Sequence, residues 1–145
     1  MWHKGIFFIV VAVVVSGFVR ILAPSTGISD LAHESVRLQL NLIGSSFYEF
    51  QAAQGKWPAQ NDDLAKTSLP ATSPYWKYEL DEELIVIVWD NTLKPNPKQN
   101  ADRILAYYNK GLISEQGRSW VCWGDLRTEY IKTDDLRAYL QKLKD

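Results

Sequence analysis

ISDLAHESVRLQLNLIGSSFYEFQAAQGKWP, residues 28–58, is the stretch on which the fold turns. Ile28, Ala32, Val36, Leu40, Ile43, Phe47 and Phe50 recur at three- and four-residue steps, the spacing of one apolar stripe on an α-helix. Arg37, Gln39, Asn41, Ser45 and Glu49 fall mostly outside it. Ser29 is placed to cap the start, and Gly55 to stop the helix in a left-handed C-cap. Trp57 can then fold back on the last turns, and Pro58, lacking an N–H, blocks continuation. A long helix laid on an apolar surface is expected here.

Upstream, Pro24-Ser25-Thr26-Gly27 predicts a break in the helix. Before it, residues 5–19 read GIFFIVVAVVVSGFV without a charge, and Ile21, Leu22 and Ala23 continue the run past Arg20. The 19 residues from 5 to 23 span about 28 Å as a helix, close to a bilayer core of about 30 Å. Arg20 is long enough to snorkel to a headgroup. Residues 1–23 therefore read as a membrane anchor, built on Ile6, Phe7, Phe8, Ile9, Val10, Val11, Val13, Val14, Val15, Phe18 and Val19. Lys4 ahead of the run favours a cytoplasmic N-terminus and a single pass, with Trp2 at the interface. Residues 24–145 would then be an exported, periplasmic or extracellular domain. A cleaved secretory signal is the competing reading, although Ala23 is followed by Pro24 and no good small-residue cleavage pattern precedes it.

Downstream, residues 56–74 are a connector punctuated by Pro58, Pro70 and Pro74, in which Asn61-Asp62-Asp63-Leu64 can form one or two helical turns. Five strands are then predicted, at 75–80, 84–89, 103–108, 119–123 and 126–131. Asp81-Glu82-Glu83 would join the first two as a hairpin, and Gly124-Asp125 the last two. Thr133 would cap a final helix with Leu136, Tyr139, Leu140 and Leu143 on one face. The fold class is α+β, with an antiparallel sheet of about five strands packed on the long helix and a short helix at the C-terminal end. Loops at 90–101 and 109–117 would face partners.

The 145 residues carry 16 Lys and Arg against 17 Asp and Glu, a net charge of −1. Beyond Arg20, 14 basic residues face the 17 acidic ones, so the exported part sits near −3 and has no bulk attraction for nucleic acid. One cysteine, Cys122, precludes an intramolecular disulfide and reads as a buried small hydrophobe. His3 and His33 flank the apolar run and share no metal site. No Gly-rich phosphate loop and no nucleophile with a base is present, so neither an enzyme, a cofactor nor a small-molecule substrate is expected. The acidic clusters read as helix starts and turns. Oxygen ligands for calcium could come from Asp90 and Asp102, with Asn91, Asn96 and Asn100, but their spacing matches no known ligand pattern. Among the tryptophans, Trp76, Trp89, Trp120 and Trp123 fall on predicted strands, where at least half would be core.

Phe47-Tyr48-Glu49-Phe50-Gln51-Ala52-Ala53-Gln54-Gly55-Lys56-Trp57-Pro58, with Asp63-Leu64 after it, resembles the helix end of type II secretion pseudopilins. Trp120-Val121-Cys122-Trp123-Gly124-Asp125-Leu126-Arg127-Thr128-Glu129-Tyr130-Ile131 is similar to the closing hairpin of bacterial pilin-like proteins with a His–Asp-Gly signature, as is Ile104-Leu105-Ala106-Tyr107 to the strand before it. The resemblance puts structural roles on Tyr48, Gly55, Trp57, Pro58, Asp125, Glu129 and Tyr130. It also marks Gly5 and Ile6 as a prepilin leader-processing site, with residues 1–5 removed. Where the family has Gly after the Asp this chain has Leu126, and Arg127 and Glu115 stand where it has His. Val10 takes the place of the usual Glu, which some tip-type pseudopilins also lack. A type IV pilin-like layout implies other pilin-like subunits, or secretion and pilus assembly proteins, as partners alongside the lipid bilayer. The alternatives are an anchored domain of pilin-like fold with no filament role, and a binding module released by signal peptidase.

Overall fold

In a computed structural model, residues 25–89, 92–109 and 117–143 are described, with side chains from Asp30 onward. The chain divides into two compact units, Met1–His33 and Glu34–Asp145, and the described part of the first is a stretch of helix. The anchor residues and the expected processing site lie outside the described residues. No helix among the described residues is long and apolar enough to cross a membrane.

Helix α1 (Ser25–Gln54) has 30 residues, about 45 Å at 1.5 Å each. Ser25, Thr26 and Gly27 are already helical, so the expected break does not fall on them, and Ser29 lies within the helix rather than at its cap. A helical Gly costs only about 1 kcal/mol, which neighbouring turns readily offset. The helix does stop at Gly55. Gly55 adopts φ +69° and its N–H bonds the Gln51 carbonyl at 2.8 Å, as a left-handed C-cap requires. Leu40, Ile43, Phe47 and Phe50 are buried and Val36 is partly buried, whereas Ala32 is exposed.

After Pro58, which is buried, α2 (Asn61–Leu64) and α3 (Leu69–Thr72) are single turns. Residues 75–80 were expected to be a strand and form instead α4 (Trp76–Asp81). Trp76 and Leu80 are four apart, a spacing that fits period 2 and period 3.6 equally, and the helix puts both against the core. The strand from 84 is also shorter than its composition suggests: β1 is Ile85–Ile87, and Trp89 turns aside to stack on Phe47 with centroids 5.6 Å apart. The sheet thus has four strands rather than five. A 3₁₀ turn (Pro97–Asn100) leads to β2 (Ile104–Tyr108), then β3 (Arg118–Trp123), β4 (Thr128–Lys132) and α5 (Thr133–Lys142).

All three pairings are antiparallel and the order is β1-β2-β3-β4, a meander. A bulge in β2 lets Ile104 face Trp123 and Ala106 face Cys122. The two faces of the sheet carry separate cores. One joins Leu40, Ile43 and Phe47 of α1 to Leu105, Ala106 and Cys122, with Leu64, Leu69, Trp76, Ile85 and Leu93. The other joins Ile104 and Val121 to Leu136 of α5, with Trp123, Ile131, Tyr139 and Leu140 around them. The final helix therefore covers the sheet face opposite α1. Its N-cap is Lys132, with no side-chain cap bond, so Thr133 is the first helical residue and not the cap.

Gly44 sits where α1 meets the sheet. A Cβ there would lie 2.7 Å from the Cys122 sulfur and 3.2 Å from Leu126 Cδ2. On an exposed helix face Gly→Ala stabilises by up to about 1 kcal/mol. At this position Gly44→Ala should destabilise the purified chain by about 1–3 kcal/mol, because the added methyl forces α1 off the strand. Urea denaturation followed by tryptophan fluorescence measures the sign.

Candidate functional site

Both segments that resemble pilin-like motifs meet at one junction. Asn41, Gly44 and Tyr48 recur at helical spacing on α1 and face the β3–β4 turn. Asn41 Nδ2 donates to the Leu126 carbonyl at 2.8 Å, and the Tyr48 hydroxyl donates to the Gly124 carbonyl. Asn100, fully buried at the end of the 3₁₀ turn, donates to the Tyr48 oxygen at 2.8 Å and to the Lys94 carbonyl at 2.8 Å, and accepts from the Lys94 N–H at 2.9 Å. Gly124 N–H in turn bonds the Arg103 carbonyl. A Cβ on Gly124 would come within 2.5 Å of Asn100 Cβ, so no other residue fits there without displacing the turn. Burial pushes the Tyr48 phenol up, against the opposing effect of the Asn100 bond, which keeps it a neutral donor. Trp57 folds back edge-on to Tyr48 at 5.2 Å and its Nε1 donates to the Leu93 carbonyl at 2.9 Å.

The turn itself is a three-residue loop. Leu126 N–H returns to the Trp123 carbonyl and Trp123 N–H to the Arg127 carbonyl, both at 2.9 Å. This hairpin form needs a left-handed residue at its last position, and Leu126 supplies it at φ +70°. The conformation costs roughly 1–2 kcal/mol for a residue with a Cβ. Its side chain packs on the core beside Gly44, which offsets that cost. Asp125 closes the turn by accepting from the Arg127 N–H at 3.3 Å and from its guanidinium at 2.6 Å. Arg127 also pairs with Glu129 at 3.2 Å and lies 4.8 Å over the Trp123 ring. Tyr130 packs on Trp120 at 5.2 Å with Arg118 5.4 Å above its ring.

Of the motif residues, Tyr48, Trp57 and Asp125 lie at or beside the junction, Gly55 forms the C-cap, Pro58 is buried, and Glu129 and Tyr130 lie on the strand that leaves the turn. Asn41 and Gly44 went unrecognised in the sequence because a polar and a small residue are conventionally assigned to the outer face. Asn100 is one of the residues from which calcium ligands could come, and its side chain is instead occupied by Tyr48 and Lys94. Of the other calcium candidates, Asp90 and Asn91 lie outside the described residues, Asn96 accepts from the Lys98 N–H, and Asp102 is exposed. Among the described residues no three His, Cys, Asp or Glu side chains are grouped to hold a metal. The described part of the 90–101 loop is held by the buried Leu93 and Asn100, and most of its other residues are exposed.

Cys122 is fully buried, and burial, with the Asp125 carboxylate adding to it, pushes its thiol up to about 12. Three buried polar atoms, Glu79 Oε2, Trp123 Nε1 and Thr133 Oγ1, lack hydrogen-bond partners among the described residues, and they sit on three different elements. Burial raises the Glu79 carboxyl, with the Gln39 bond opposing it. Comparison with known protein families, curated proteins and solved structures gives no match for this chain.

Two measurements check this junction. Asn100→Ala should lower unfolding stability by about 1–3 kcal/mol, since Lys94 and Tyr48 lose their buried partner together; chemical denaturation reads it. Iodoacetamide at pH 8 should leave Cys122 unmodified in the folded chain and alkylate it after unfolding, as intact mass would show. A thiol held neutral by the fold contributes stability that is present below its ordinary value of 9.0 and lost as pH rises from there toward about 12.

Proposed function

We propose that this chain is a non-enzymatic, membrane-anchored, pilin-like or pseudopilin-like subunit or accessory of a type II secretion or type IV pilus-like apparatus. It sits in the inner membrane with its N-terminus cytoplasmic and residues 24–145 on the far side. The observation that carries the reading is the junction: the helix-end segment with Tyr48, Gly55 and Trp57 and the closing hairpin with Gly124 and Asp125, distant in sequence, are bonded to each other. A long helix on an antiparallel meander supports it as well. So does Leu38 of α1, which is 56% exposed among the described residues and leaves an apolar side chain for a neighbouring helix to cover. Assembly would run through the anchor and this uncovered helix surface.

Intact mass of the protein from membranes of its native host tests the reading. Loss of residues 1–5 is the expected result and would mark prepilin processing. Removal of the whole apolar run would refute the anchor. In a second test, Val10→Glu should strengthen co-purification of pilin-like subunits if the missing carboxylate limits assembly; unchanged recovery would show that this position does not control it.

A further inference from the structure

We infer that the outer edge of β1 receives an extended, basic peptide segment by strand addition, an interaction separate from the helix packing proposed above. Among the described residues β1 stands at the end of the sheet and pairs only with β2. Val88 N–H donates to the Leu105 carbonyl and Asn109 N–H to the Leu84 carbonyl, both at 2.8 Å. Alternation along an antiparallel ladder places Val86 in the same bonded set and turns the N–H and C=O of Ile85 and Ile87 outward. Those outward groups have no hydrogen-bond partner among the described residues.

A groove of about 220 Å³ runs along this edge, lined by Asn61, Leu80, Glu83, Ile85, Ile87 and Trp89. It continues past Asn61 and Trp89 into a hollow of about 350 Å³ beside Gln60 and Asp62. Trp89, 40% exposed, forms the apolar step between them, and its stacking on Phe47 holds the ring in place from beneath. Sheet edges are ordinarily protected by Lys, Pro or a bulge. β4 carries Glu129 and Lys132, whereas β1 reads Ile-Val-Ile, with neither Lys nor Pro, and is kept to three residues. The charged side chains lining the groove and hollow, among the described residues, are the carboxylates of Asp62 and Glu83. Backbone groups aimed outward, an apolar step and two carboxylates, with no Lys or Arg among the described lining residues, suit one kind of occupant. It is an extended segment that pairs with Ile85 and Ile87, lays an apolar side chain on Trp89, and reaches the carboxylates with Lys or Arg.

Fluorescence anisotropy with the labelled peptide Lys-Val-Thr-Val-Thr-Val-Lys and the purified full chain in detergent tests this. Saturable binding is expected. It should weaken about fivefold with Asp62→Asn and Glu83→Gln together, or with glutamates in place of the peptide's lysines, since rim charges steer such contacts. N-methylation of the peptide's alternate amides should weaken it about tenfold or more, each lost hydrogen bond being worth roughly 1 kcal/mol. Trp89→Ala should also lower affinity, and because Trp89 touches the core, the exposed carboxylate variants carry the test if it unfolds. Absence of saturable binding, equal binding of the N-methylated peptide, or indifference to both charge changes would overturn the proposal. Self-association of the chain that the peptide does not compete away would overturn it too, by assigning the edge to a second copy.

Discussion

Helix α1 holds the sheet by its last turn rather than by its strands alone. Asn41 and Tyr48 bond two carbonyls of the β3–β4 turn, Gly44 between them lets the backbones come close, and Asn100 fixes the Tyr48 hydroxyl from the other side. Such a buried polar network is favourable only when every member is satisfied, so it tolerates one geometry. The register of helix on sheet follows from it. An apolar stripe could slide by a turn with small loss of buried area, but the hydrogen bonds and the tight fit at Gly44 cannot.

That constraint propagates through the molecule. With the turn pinned, Leu126 is held in a left-handed conformation, and its side chain lodges beside Gly44 and Cys122 on the α1 face. The other sheet face is then left to α5, where the Tyr139 hydroxyl donates to the Asp102 carbonyl at 3.0 Å and accepts from the Ile104 N–H at 3.2 Å. The sheet has a helix on each face, yet its two edges differ. β4 is charged and close to α5, while β1 is short, apolar and bordered by carboxylates.

Much of the frame was legible before any coordinates. The stripe from Val36 to Phe50, the stop at Gly55, the return of Trp57, the burial of Cys122 and the last three strands depend on local periodicity and on residues with special backbone behaviour. Residues 75–80 were not legible, because Trp76 and Leu80 satisfy both periods and only the packing of Trp76 chose the helix. Nor was the role of Asn100, whose partners Tyr48 and Gly124 lie 52 residues before it and 24 after it. The junction was half visible: its two segments stood out by their motifs, and nothing in their spacing required them to touch.

By itself the sequence determined an α+β chain with an uncharged apolar run, one long helix that ends at Gly55, and an antiparallel sheet closed by a short helix. These follow from interactions within a few residues: helical and strand periodicity, the missing N–H of proline, the left-handed freedom of glycine. The tertiary structure alone decided that the sheet has four strands, that helices cover both faces, that Gly44 and Asn41 face the β3–β4 turn, and that β1 ends the strand order among the described residues. Each of those depends on which distant groups compete for the same burial or the same hydrogen bond, and a linear pattern does not record that competition.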